Sequence, residues 1–305
     1  MKEEQGRNRM YLPPRVDFVF KLLFGREDSK EILSGLIKAI LKLEDEEFES
    51  LTLMNPYLLA EYEKDKSGIL DIKVKTKSGY HLNIEMQAST SDVIKERLEF
   101  YNAKMVISQI ERSEDYSVIK RTITILISTE TVFPESPSYH HYFERYDIKN
   151  KVKFGGISEI HTLELSKLPQ VQDNSMLWNW MYFIAAEEEE EFEMIAKKNE
   201  TINKAVMELA VLSQDEKNRM LFEAQEKARM DRLAETRYYQ KRATEEGMAK
   251  GLEKGRLEAI ITAMDSLGLT TGEALDAFKV SDDERPKFEE LIRESGAAYN
   301  VHHKE

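Results

Sequence analysis

The chain has no cysteine among its 305 residues. Disulfides and thiolate metal ligands are therefore excluded, and a reducing cytoplasm suits the composition. No apolar run approaches the ~20 residues of a membrane-spanning helix. The opening MKEEQGRNRM holds no apolar stretch of the kind a secretory signal needs. The expectation is a cytoplasmic protein with no membrane partner. An excess of positive charge is also lacking, since the formal net charge is −13. Residues 1–186 hold 25 Lys+Arg against 29 Asp+Glu, and residues 187–305 hold 19 against 28. The acidity thus lies mainly in the C-terminal part. It argues against coating of nucleic acid along the whole chain and leaves room for local basic clusters. The length exceeds the usual domain size of about 100–150 residues, so more than one unit is expected.

What is present centres on residues 66–87. Residues 69–76 and 80–87 alternate as two strands around Lys77-Ser78-Gly79. A three-residue hairpin loop commonly ends in glycine, where a positive φ is needed. That loop sets Thr76 opposite Tyr80, Val74 opposite Leu82, Ile72 opposite Ile84 and Leu70 opposite Met86. One face is then wholly apolar. The other sets Asp71 across from Glu85, with Lys73, Lys75, Asn83 and Gln87 nearby. A two-residue loop would slip the register by one residue and separate the two acids. Facing acids repel, and a divalent cation held by carboxylate oxygens is one reason for a fold to tolerate them. A solvated face of mixed charge is the other reading, and the spacing alone does not choose between them.

The remaining elements frame this hairpin. Phe20, Leu23 and Phe24 share a helical face that Gly25 closes, with Asp17 in the first turn. Asp17 either answers the helix dipole or faces the acid pair. Ser29 is a candidate cap for a helix striped by Ile32, Leu33, Leu36, Ile37, Ile40 and Leu41. Ser91-Asp92 is a candidate cap for a helix over residues 92–112. On it Arg97 and Tyr101 are spaced for either a phosphate contact or an ordinary surface pair. Residues 116–127 read as a buried strand, and residues 139–147 and 157–165 as further strands. His140-His141 on such a strand point to opposite faces, so a shared metal is not expected. From Met176 the pattern is helical, and residues 215–246 suggest a long exposed helix or coiled coil. Gly247, Gly251 and Gly255 recur every fourth residue, as in close packing between helices of two chains or in flexible coil. Residues 257–293 suggest two short helices split by residues 268–272. The order predicts an α/β fold, a mixed sheet flanked by helices.

Several of these residues carry a resemblance. The stretches Asp17-Phe-Val-Phe20-Lys21-Leu-Leu-Phe24-Gly25, Leu70-Asp71, Asn83-Ile-Glu85-Met-Gln87 and Arg97-Leu-Glu-Phe-Tyr101 resemble the recombination-promoting nucleases, also labelled PD-(D/E)XK nuclease family transposases. Asp115-Tyr116, Leu163-Glu164-Leu165 and the glycine repeat fit as well. The resemblance implies a restriction-endonuclease-like core over residues 15–170, with added strands at 139–165. A disordered lead over residues 1–14 precedes it. A helical extension over residues 171–256 and a small helical tail over 257–305 follow it. It implies hydrolysis of DNA phosphodiester bonds with Mg²⁺, or with Ca²⁺ or Mn²⁺ in its place, linked to transposition-like recombination. Asp71 and Glu85 are then the metal ligands, with the Met86 carbonyl beside them. Gln87 stands where the wider superfamily has lysine. Glutamine carries no charge and is no base, so its role becomes orienting water or touching the scissile phosphate. The general base stays open, with Lys73 among the candidates. Asp17 is a possible accessory, and Arg97 and Lys73 are expected to meet DNA phosphates. A catalytically weak DNA-binding or oligomerising protein on the same core is the alternative. Self-association through the helical C-terminal region is expected in either case.

Overall fold

The computed structural model describes residues 11–54, 72–88, 92–173 and 175–296. Two compact units are present, Met1–Ala224 and Gln225–Glu305. The first is built on a six-stranded mixed sheet of order β1-β2-β3-β4-β8-β5. The strands are β1 (Thr52–Leu53), β2 (Ile72–Lys75), β3 (His81–Gln87), β4 (Thr122–Ser128), β5 (His140–Glu144) and β8 (Ser158–Glu164). A separate two-stranded ribbon pairs β6 (Tyr146–Asp147) with β7 (Val152–Lys153). The pairs β1–β2, β2–β3 and β5–β8 are antiparallel, whereas β3–β4 and β4–β8 are parallel.

One sheet face carries Ile72, Val74, Leu82, Ile84, Met86, Ile123, Ile125 and Ile127, all buried. These pack with helices α1 (Asp17–Phe24), α2 (Lys30–Ile40), α4 (Met176–Ala185), α5 (Glu189–Ala196) and α6 (Glu200–Gln214) in one apolar core. The stripe expected on α2 is the buried one. Helix α2 approaches its neighbours closely at Gly35, where a Cβ would lie 2.7 Å from Thr201 Cγ2 and 3.0 Å from Trp180 Cζ2. The opposite sheet face is covered by α3 (Ile94–Ile107), whose Ile94 and Leu98 pack with Leu126, Val132 and Ile160.

Helix α7 (Glu216–Leu267) is continuous through Gly247, Gly251 and Gly255, so the flexible-coil reading of that repeat is corrected. A Cβ at any of the three would meet nothing within 4 Å. In the second unit Ile260 and Met264 pack with α8 (Thr271–Ala277) and α9 (Arg285–Glu294) through Leu275, Phe288 and Ile292.

Three local expectations change. The Ser29 side chain makes no cap hydrogen bond; it is buried, and its hydroxyl has no partner among the described residues. Helix α3 starts at Ile94 behind Val93 and stops at Ile107, within the expected 92–112. Gln109 explains the early stop. Its side-chain amide donates to Thr122 Oγ1 at 2.6 Å and accepts the Lys120 N–H at 2.8 Å, which draws the chain toward β4. Residues 116–118 form one 3₁₀ turn capped by Asp115, so β4 begins only at Thr122.

Candidate active site

The hairpin adopts the register that the loop chemistry demands. Ile72 pairs with Ile84, Lys73 with Asn83, Val74 with Leu82 and Lys75 with His81. Gly79 takes φ of 86°, and its N–H donates to the Thr76 carbonyl at 3.0 Å. Residues 55–71 lie outside the described residues, so the expected pairs of Leu70 and Asp71 lie there too.

Glu85 sits two residues before the end of β3, on the face that α3 covers. It is 1% exposed, far from the solvated face that a mixed-charge surface would show. A carboxylate at such depth needs strong compensation. Asn83, two residues earlier on the same face, donates from Nδ2 to Glu85 Oε1 at 2.9 Å. Arg97, from the first turn of α3, donates from Nη2 to Glu85 Oε2 at 3.0 Å. The Arg97 side chain keeps 39% of its surface exposed, so the guanidinium bridges the buried acid and solvent. Asn83 Oδ1 is buried with no hydrogen-bond partner among the described residues.

Asp17 reaches the same strand end from the first turn of α1. Its Oδ1 accepts the N–H of Ala88, the residue after β3, at 3.2 Å. Burial pushes the Asp17 carboxyl up to about 6, against the lowering pull of the Ala88 N–H, its own N–H and the Arg97 charge. Asp17, Glu85 and Arg97 are thereby gathered at the C-terminal end of β3. The edge is further fixed by Thr129, whose hydroxyl donates to the Ala88 carbonyl at 2.8 Å and whose N–H donates to the Gln87 carbonyl at 3.1 Å. Gln87 is the last residue of β3, partly exposed and on the face of Glu85. Lys73 lies across from Asn83 and is partly buried.

A further acid lies on this edge, and its partners are not legible in the sequence. Glu164, fully buried at the end of β8, accepts the Val132 N–H at 2.8 Å and pairs with Lys167 at 2.7 Å. Lys167 also donates to the Phe133 carbonyl at 2.5 Å. This ties down the chain that leaves β4. Its signal was only the Leu163-Glu164-Leu165 motif, because the anchored backbone is 32 residues away. The adjacent histidines face apart, as strand geometry requires. His140 Nε2 lies 3.0 Å from His161 Nδ1, while His141 Nε2 lies 2.8 Å from Ser136 Oγ.

The donors gathered at β3 are oxygens, from Asp17, Glu85 and the unpartnered Asn83 Oδ1. That chemistry fits a hard divalent cation and not a soft one. Among the described residues no three His, Asp or Glu side chains form a complete metal cluster. No curated protein and no solved structure matches the chain. A family model described as PD-(D/E)XK nuclease family transposase matches residues 14–238, a span holding all the sheet strands and the whole of the β3 site. A mixed sheet flanked by helices, with a buried glutamate and its arginine near one strand end, is the frame of a nuclease-like function, and the chain belongs to the PD-(D/E)XK nuclease family transposases.

Proposed function

We propose that the protein is a divalent-cation-dependent DNA endonuclease, with Mg²⁺ as the working ion, that serves transposition-like recombination in the cytoplasm. The observation that carries the reading is the Glu85 carboxylate, buried at 1% exposure yet bound to a half-exposed arginine, near the strand end where Asp17 accepts the Ala88 N–H. A buried acid that an arginine links to solvent is a candidate functional group. Asp71 and Glu85 are assigned as the carboxylates that hold the ion, with Asp17 accessory to them. The register that pairs Ile72 with Ile84 supports the first assignment.

When bound, the cation supplies Lewis acidity to the phosphate and makes an attacking water more acidic. The chain's own groups do the rest. Asn83 holds the Glu85 carboxylate in orientation through Oε1. Arg97 is poised to neutralise a DNA phosphate from the solvent side, and Lys73 from the hairpin face. Gln87, uncharged, offers its amide to a water or to a non-bridging phosphate oxygen.

The test is nicking of supercoiled DNA in Mg²⁺ against an EDTA control, with Glu85→Gln and Asp71→Asn beside the wild type. Each variant is expected to lose roughly 100-fold or more of the rate. Full metal-dependent nicking by both would refute the assignment. Binding of DNA without any nicking by the wild type would instead favour the catalytically weak DNA-binding reading. Self-association through residues 171–256 is part of the proposal. It is supported by the open space over Gly247, Gly251 and Gly255, and light scattering of the full chain measures it.

A further inference from the structure

Between β5 and β8 the chain makes an excursion that the β3 site does not use. The ribbon β6–β7 pairs Tyr146 with Lys153 and Asp147 with Val152, and the Phe154 N–H extends it to the Arg145 carbonyl at 3.0 Å. Its turn, residues 148–151, is tightly built. Asp147 Oδ1 accepts the N–H groups of Lys149 at 3.0 Å and Asn150 at 3.1 Å, and Asp147 Oδ2 accepts Asn150 Nδ2 at 2.7 Å. Lys151 holds a left-handed φ of 56°, a place usually given to glycine. Two lysines are thus presented at the tip of an ordered ribbon. Arg145 to Ile157 are all exposed, Ile148 at 87% and Phe154 at 78%.

The ribbon is basic in an acidic protein. Residues 145–154 contain Arg145, Lys149, Lys151 and Lys153 against the single acid Asp147, in a chain of net charge −13. Asp147 is turned into its own hydrogen bonds, and Lys153 pairs with Glu144 at 2.9 Å. Among the described residues Arg145, Lys149 and Lys151 have no carboxylate partner.

We infer that this ribbon is a DNA-docking arm that enters the major groove of duplex flanking the cleaved phosphate. The inference rests on the proposed nuclease reading and extends it. A two-stranded ribbon fits the major groove, about 12 Å wide. The tip lysines neutralise phosphates on its walls, and Ile148 supplies apolar contact such as a thymine methyl accepts. A protein partner would instead favour a core depleted of charge.

The sheet register gives the reach. Glu85 is level with Leu126, Thr162 and His141 across the sheet. Strand β5 runs on from there to Glu144, toward the end opposite Gln87, Ser128 and Glu164. Three strand spacings across and three residues along put the ribbon's base roughly 17 Å from Glu85, and its tip roughly 20–30 Å away. At about 3.4 Å per base pair this is roughly 6–9 pairs from the scissile bond. The arm grips flanking DNA and leaves the chemistry to β3.

The test is fluorescence anisotropy of the full chain with Ca²⁺ on duplexes of about 30 and about 8 base pairs, over a range of salt. Lys149→Gln with Lys151→Gln is expected to bind the long duplex several-fold more weakly. Its log–log salt slope should be shallower by about 0.9 per lost contact. The loss should vanish on the short duplex, and Lys149→Arg with Lys151→Arg should restore binding. An unchanged thermal midpoint shows that the fold is intact. Equal affinity and slope for wild type and variant on the long duplex overturn the arm, as does an equal loss on both lengths. Wild type that neither binds nor nicks DNA overturns the nuclease reading itself.

Discussion

Asp17→Asn exposes a conflict between stability and the β3 site. The Asp17 carboxyl has its midpoint raised from 3.8 to about 6, chiefly by burial. A group whose folded value lies above its unfolded one contributes most at low pH. That contribution is present below about pH 4 and is lost as pH rises through about 6. Above pH 7 the ionised side chain therefore costs the fold about 3 kcal/mol. Asparagine carries no charge and its carbonyl still accepts the Ala88 N–H. The variant is thus expected to be more stable than wild type by up to about 3 kcal/mol at pH 7–8, and equal to it near pH 4. For a unit that spans Met1–Ala224, each kcal/mol moves the midpoint by about 2–4 °C. The expected gain is then roughly 6–12 °C. The assay is thermal unfolding in EDTA from pH 4 to 8. A variant less stable than wild type at pH 8, or a difference that does not change with pH, refutes the reasoning. The same variant is expected to lose metal-induced stabilisation, so that wild type gains more from added Mg²⁺.

Further expectations follow from the packing. Arg97→Ala takes a charged partner from buried Glu85; with the arginine half exposed, the loss is about 1–3 kcal/mol in EDTA, read from urea unfolding. Arg121 grips Glu159 through both carboxylate oxygens, at 2.5 and 2.7 Å. Burial alone would raise the Glu159 carboxyl, but the pull of His161 and Arg121 holds it below its ordinary 4.5. Such a depressed acid contributes above about pH 4.5 and loses that contribution in more acidic solution. Arg121→Ala should therefore cost about 1.5–3 kcal/mol at pH 7, with the gap narrowing in acid unfolding curves. Gly35→Ala drives a methyl into Thr201 and Trp180 and should lower stability by about 1–3 kcal/mol, again read from urea unfolding.

The hairpin was legible in the sequence because its determinants are local. The Lys77-Ser78-Gly79 loop and the apolar alternation beside it act within one short stretch, and both select the observed pairing. Partners further off were less legible. The helical spacing of Arg97 and Tyr101 left surface and site roles open, and only the packing of α3 on the sheet joins Arg97 to Glu85. The anchoring of Val132 by Glu164 gives no local pattern at all. The pattern marked a helix from Met176, but not that Trp180 and Phe183 would share a core with Phe24 and Leu33. Ser29 shows the limit of cap signals, since it stands at the N-cap position yet its buried hydroxyl makes no cap hydrogen bond.

The spacing of the site's contacts along the chain sets an order of assembly. The β2–β3 hairpin closes over a three-residue loop, an event of roughly 1–10 μs. Arg97 meets Glu85 across 12 residues, Thr129 meets Ala88 across 41, and Asp17 meets Ala88 across 71. Longer closures carry more entropy cost and tend to come later. Gly79→Ala, which strains a φ of 86°, should slow folding. Asp17→Asn should leave the folding rate alone and change the rate of unfolding. Among these site contacts the one from Asp17 to Ala88 is then the last to form, and its local loss would loosen the acid end of β3 while the hairpin stays intact.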